Sequence, residues 1–380
     1  MDKLSFLNAI ACMAIFVSLL LSFFLLTVKT KNKLANRLFA AFLILTAIDL
    51  SGFFIYDISD SLNLEVFRWT ACLLIMPLFY LYALAVCYVD FRLQLKHLLH
   101  IIPFVVLNLV LTPRFYLAEA VDKLRFFDSH NQMPEMCFLR ILIEAQYFFY
   151  IIIVFLVLKK YKEIYLENYA NASASTYKWL FQMTVVFLTA HAIVICRNLL
   201  RYTGYDGMFL WANVVVGIVA LLITCWFVLK ALNYPELFKG VNSKLQLTKD
   251  ILHVSETGIS EKVKVQDDAI TQQIILLKDY MAKNEPYLDP SLTIQELANQ
   301  INMQARDLSV LINHHMDQHF FDFVNEYRIQ KAMNILRNPS KKDLTILEIL
   351  YEVGFNSKSS FNTSFKKYTQ KTPTAYRNNS

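Results

Sequence analysis

Two short polar stretches near the C-terminus would each present a row of hydrogen-bonding side chains if folded as helices. In the first, Leu308 and Ile312 lie four residues apart and mark an inward face. That leaves Arg306, Ser309, Val310 and Asn313 to point outward. In the second, Phe361 and Phe365 mark the inward face, leaving Lys358, Ser359, Asn362 and Thr363. Arg or Lys suits the acceptor edge of guanine, and Asn suits adenine. Gln304, Lys366 and Lys367 are better placed for phosphates. Such groups bind; they do not make or break bonds.

Other reactive sets are weaker. His315 and His319 have a metal-like spacing but no obvious third ligand. The six cysteines form no CxxC pair and no zinc spacing, and they read as small buried hydrophobes. No phosphate-binding glycine loop, HExxH motif or Ser/His/Asp set stands out, and 380 residues contain only 7 glycines. The expectation is therefore no enzyme, no cofactor and no bound metal. A different group of ionisable residues falls inside apolar runs: Asp49, Glu144 and His191, with Arg197 just beyond. Charges inside a membrane are expensive and usually face a partner or a cavity, so these four define a candidate sensor pocket.

The elements that must position the outward faces come in two copies. LTIQELANQIN (292–302) aligns with LTILEILYEVG (344–354). Thr293 with Glu296, and Thr345 with Glu348, form two capping boxes, each starting a helix. Asn302 and Gly354 then suit the left-handed turn that ends each helix. A new helix follows each turn. Helix, tight turn, helix, repeated, is the geometry of paired helix-turn-helix units. A helix over about 320–338, stopped by Pro339, would fix their spacing.

The second copy with its tail, GFNSKSSFNTSFKKYTQKTPTAYR, resembles the DNA-binding domain of the AraC family, and the resemblance covers about 275–380. It implies two helix-turn-helix units on a shared linker helix, facing the major groove of one duplex, with base contacts at most of the outward positions named above. Asp317 and Gln370 depart from the family pattern, which often has Gly there. A non-Gly residue at such a turn costs about 1 kcal/mol.

The rest of the chain has another character. Hydrophobic residues make up 56% and charged residues 18% of the whole, and the long apolar runs lie before residue 232. Seven runs are long enough to cross a bilayer: 4–28, 38–56, 69–89, 97–112, 141–158, 179–196 and 208–229. The fourth is the weakest. Lys and Arg favour the loops that would be cytoplasmic with the N-terminus outside, including Lys159, Lys160, Lys162 and Lys178. The expected organisation is all-α: a seven-span transmembrane sensor bundle over 1–232, a cytoplasmic linker over 233–265, and an AraC-type DNA-binding domain over 266–380. The reading is a one-component transcription regulator in a bacterial inner (cytoplasmic) membrane. Its partners would be double-stranded DNA and the lipid bilayer, with a small molecule or the proton as signal and a homodimer as further candidates. A transporter or channel with a regulatory cytoplasmic domain is the alternative. Few Gly or Pro interrupt the spans, which counts mildly against a transporter.

Overall fold

The computed structural model describes residues 3–28, 32–53, 62–129, 133–170, 174–200, 205–233 and 263–378. Among them the chain is helical and contains no strand. An isolated β-bridge joins Tyr169 and Thr293. The chain divides into two units: residues 1–158 with 176–240, and residues 159–175 with 241–380.

The first unit holds α1 (Lys3–Thr27), α2 (Lys33–Leu50), α3 (Leu62–Ala71), α4 (Ile75–Cys87), α5 (Ile102–Leu111), α6 (Ala120–Ser129), most of α7 (Pro134–Asn168), α8 (Ala174–Leu200) and α9 (Asp206–Asn233). α1 packs against α2 and α9, and α2 against α4. Phe39 stacks on Tyr82 at 4.8 Å, and Phe79 meets Phe187 edge-on at 4.8 Å. The Trp179 indole N–H donates to the Tyr82 hydroxyl at 3.2 Å, so the polar tip of each buried ring is satisfied. Outward, the same helices expose large apolar side chains such as Phe16, Phe23, Ile152 and Leu222.

Among the described residues, six stretches are long and apolar enough to cross a membrane: Ser5–Thr27, Leu62–Cys87, Leu95–Tyr116, Pro134–Asn168, Tyr177–Leu200 and Gly207–Lys230. The sequence leads one to expect seven. α2 drops out because its 18 residues carry Lys33, Arg37 and Asp49. It is nonetheless a helix, and residues 54–56, which would complete the expected run of 38–56, lie outside the described residues.

The second unit begins with the last turns of α7 and continues through α10 (Val263–Asn284), α11 (Ile294–Gln300), α12 (Ala305–Val310), α13 (Phe320–Arg337), α14 (Ile346–Glu352), α15 (Lys358–Thr369) and α16 (Pro373–Asn378). The linker expected over 233–265 lies outside the described residues apart from its ends. Residues 159–175, expected within the N-terminal 1–232, group instead with the C-terminal unit.

Two cores share α13. Phe320, Phe323 and Val324 from its first half pack with Leu297, Leu308 and Ile312. Ile329, Ala332, Ile335 and Leu336 from its second half pack with Ile349, Phe361 and Phe365. One amphipathic helix thus buries its two halves in successive cores, and each core closes one helix-turn-helix.

Candidate nucleic-acid interface

Each helix-turn-helix starts from its capping box. The Thr293 N–H donates to the Glu296 carboxylate at 2.8 Å and the Glu296 N–H to the Thr293 hydroxyl at 3.2 Å. In the second copy the corresponding distances are 2.7 and 3.1 Å, for Thr345 and Glu348. The Thr345 N–H and hydroxyl hold the Glu348 carboxyl below its ordinary range. Both short helices then end at a left-handed residue, Asn302 at φ 54° and Gly354 at φ 90°.

Gly354 is required twice over. A Cβ there would sit 2.5 Å from the Tyr287 carbonyl oxygen, besides the positive φ. Asp317 and Gln370, the two departures from the family pattern, take left-handed φ values of 49° and 57°. The turns keep their geometry without glycine.

The second recognition helix, α15, is capped by Ser357, whose hydroxyl accepts from the Ser360 N–H at 3.4 Å. Phe361 and Phe365 are fully buried. Lys358, Ser359, Thr363, Lys366 and Lys367 are exposed and Asn362 is half-buried. Five of these, all but Ser359, line one open groove of about 860 Å³, which Gln370 and Thr372 also border. Helix-face spacing does not assign these two to the groove, because they follow the helix rather than lie on it. Lys367 is not wholly at liberty: its ammonium pairs with Asp322 of α13 at 2.6 Å.

The first recognition helix is less regular. α12 continues from Leu311 to His315 as a wider π-helical turn. Leu308 and Ile312 are fully buried, as expected, while Gln304 and Arg306 are exposed and Val310 is half-buried. Ser309 is a correction: it is buried, 5% exposed, rather than turned outward. With Leu308 and Leu311 beside it, the inward stripe is wider than the i, i+4 pair suggests. Asn313 is half-buried and already engaged. Its amide donates to the Ser309 hydroxyl at 2.9 Å and to the Glu167 carbonyl at 3.4 Å. Its carbonyl accepts the Phe320 N–H at 2.9 Å, which satisfies a donor at the start of α13.

Arg328, which pattern reading passes over, is among the largest fully buried side chains of the described residues. Its guanidinium donates to the carbonyls of Tyr287 at 2.7 Å, Asp289 at 2.8 Å and Ala170 at 3.0 Å. It also donates to the Asn325 side chain at 3.2 Å and lies 5.4 Å over the Phe355 ring. Burial lowers its pKa to about 10, so it stays charged at neutral pH. Lys331 pairs with Glu285 at 2.6 Å nearby, and this hydrogen bond, with a second from Tyr287, holds the Glu285 carboxyl below its ordinary range.

The four residues of the candidate sensor pocket fall into three separate sets of contacts. Glu144 and His191 meet at 2.7 Å, with Tyr147 stacked on the imidazole at 3.6 Å. Asp49 accepts from the Cys72 thiol at 3.0 Å and lies 3.6 Å from Arg68, which also pairs with Glu65. Arg197 donates to the Asn213 side chain at 3.3 Å.

Residues 297–379 match the family model described as a helix-turn-helix domain. The chain is 30% identical over 149 residues to an uncharacterized HTH-type transcriptional regulator of Staphylococcus aureus (strain COL), covering 38% of this chain and 19% of that protein. It is 31% identical over 123 residues to the HTH-type transcriptional regulator CdhR of Pseudomonas aeruginosa, covering 30% of this chain and 36% of that protein. Among solved structures, it is 29% identical to the C-terminal domain of the two-component response regulator yesN of Fusobacterium nucleatum, over 28% of this chain and 98% of that one, with a TM-score of 0.25. The chain thus spans between about a fifth and about a third of the two curated relatives. The C-terminal unit carries a helix-turn-helix domain of the AraC type.

Proposed function

We propose that this chain is a membrane-embedded transcription regulator that binds specific DNA through both helix-turn-helix units and is controlled by its apolar helices. The observation that carries the reading is the sharing of α13 by two capped helix-turn-helix units, on the same chain as six helices apolar enough to cross a bilayer. In this reading Arg306, Lys358, Ser359, Asn362 and Thr363 approach base edges, and Gln304 and Lys366 approach phosphates. The chain works by binding, without catalysis.

The apolar side chains left exposed on the first unit would face lipid in a bacterial inner membrane. Residues 159–170 pack within the C-terminal unit, which supports placing both on the cytoplasmic side, with α8 and α9 forming one outward and one return crossing. The Lys residues at 159, 160, 162 and 178 agree with that side. The Glu144–His191 pair, inside two of the crossings, is the favoured site for a signal.

The test uses the full chain in lipid nanodiscs and a random duplex library. Enrichment of one sequence class, and its occupancy in cells by mapping of bound sites, is the expected result. No enrichment over random DNA would end the reading.

A further inference from the structure

The C-terminal end of α7 is built into the DNA-binding unit. Tyr169 forms an antiparallel bridge with Thr293, the cap of α11. The Ala170 N–H donates to the Leu292 carbonyl at 3.1 Å. The Ala170 carbonyl accepts from Arg328 at 3.0 Å and from the Asn325 amide at 3.2 Å. One turn earlier, the Glu167 carbonyl accepts from Asn313 of the first recognition helix. Ala170 itself is fully buried in the first helix-turn-helix core. Within 167–170, Glu167, Tyr169 and Ala170 therefore touch the cap of one helix, the end of the next and the middle of the linker helix.

Arg328 makes that position decisive. Its guanidinium holds backbone carbonyls of the first helix-turn-helix unit while lying over Phe355 of the second core. The Ala170 carbonyl binds this joint. A buried guanidinium that loses an acceptor must find another or admit water, and either rearranges its surroundings. We infer that residues 167–170 are a clamp on the joint between the two helix-turn-helix units, through which α7 sets whether both units engage one duplex together. This rests on the DNA-binding reading above and deepens it: the regulated quantity is the fixed relation of two recognition helices, which simultaneous binding in successive major-groove segments demands.

The clamp is continuous with a membrane candidate. α7 runs unbroken from Pro134 to Asn168 and carries Glu144, the partner of His191.

The experiment uses the full chain in nanodiscs with duplexes that the wild-type chain selects from a random library, read by hydroxyl-radical footprinting and titration. Ala170→Trp puts an indole at a fully buried position and is expected to expel the clamp. A second variant inserts two alanines between Glu167 and Asn168, inside the clamp itself, so that the Glu167–Asn313 and Ala170–Arg328 contacts cannot both form. Both variants are expected to shrink the footprint to one half and to weaken binding about tenfold or more, with the remaining half still protected. If Ala170→Trp loses both halves through misfolding, the insertion variant decides. A wild-type footprint and affinity in the insertion variant, or tighter binding, would overturn the clamp while leaving DNA binding standing. A wild-type chain that selects no duplex would remove the regulatory reading, and the clamp with it.

Discussion

Arg328 donates a hydrogen bond to the carbonyl oxygen of Ala170 at 3.0 Å, across 158 positions of sequence. The contact joins the end of a long apolar helix to the centre of a soluble one. It also explains how an arginine is tolerated at full burial: its donors meet three backbone carbonyls and one amide oxygen, so the charge is solvated by the protein.

Removing that guanidinium leaves several carbonyls without a donor. Arg328→Met is expected to destabilise the C-terminal unit by about 3–5 kcal/mol, the range for breaking a buried charged network. Arg328→Lys should recover little, because one ammonium cannot reproduce a planar fork. Urea denaturation followed by hydrogen exchange of residues in α13 measures both.

A fragment that begins after α9 lacks residues 159–175. Its buried Arg328 loses one acceptor, and the expected cost is about 1–3 kcal/mol. A peptide of residues 159–175 added in trans should restore thermal stability in a saturable way. Equal melting temperatures with and without the peptide would show that the fragment compensates by itself.

Gly354→Ala places a methyl group against the Tyr287 carbonyl in a left-handed conformation. The expected loss is about 2 kcal/mol or more, above the ordinary cost of a strained φ. Gln370→Gly, at another left-handed position, should instead gain about 1 kcal/mol. Opposite shifts in melting temperature would check the pair together.

Contacts to DNA separate by role. Arg306→Ala or Asn362→Ala should cost about 1–3 kcal/mol at the selected site and relax preference at a few base pairs. Lys366→Ala should weaken binding on every sequence and shallow its salt dependence. Ser309→Ala, being buried, should alter stability with little change in preference. Titrations at several salt concentrations against selected and scrambled duplexes distinguish these outcomes.

The Glu285–Lys331 pair makes the C-terminal unit acid-sensitive. Its carboxyl has a folded pKa below the unfolded value of 4.5, so its stabilisation is present above that pH and is lost as pH falls through the lower folded value. Stability measured from pH 6 down to 3 should show this loss, and Lys331→Gln should flatten that part of the curve. Because the pair is partly open to solvent, the effect is modest.

Local signals carried much of this architecture. The two capping boxes, the left-handed Asn302 and Gly354, and the buried pairs at 308/312 and 361/365 all stand where spacing places them. They depend on neighbours within a turn or two, which sequence pattern records. Ser309 eluded the pattern because a stripe edge depends on what packs beside it. Arg328 and Ala170 eluded it for a stronger reason: neither residue type announces burial against the other, and their pairing is a product of tertiary structure alone. α2 shows the opposite case, where three charged residues remove an otherwise apolar helix from the set able to cross by composition.

α7 holds 35 residues, and its one proline is the first residue. At 1.5 Å per residue it is a rod of about 52 Å with no built-in joint. Each residue added or lost along it would turn Ala170 by about 100° around the axis and shift it by about 1.5 Å. Where the C-terminal unit holds both Glu167 and Ala170, the length is thus a quantised inheritance: descendants of this chain could reshape the residues that coat the helix, yet could not gain or lose a residue between those two contacts without giving one of them up.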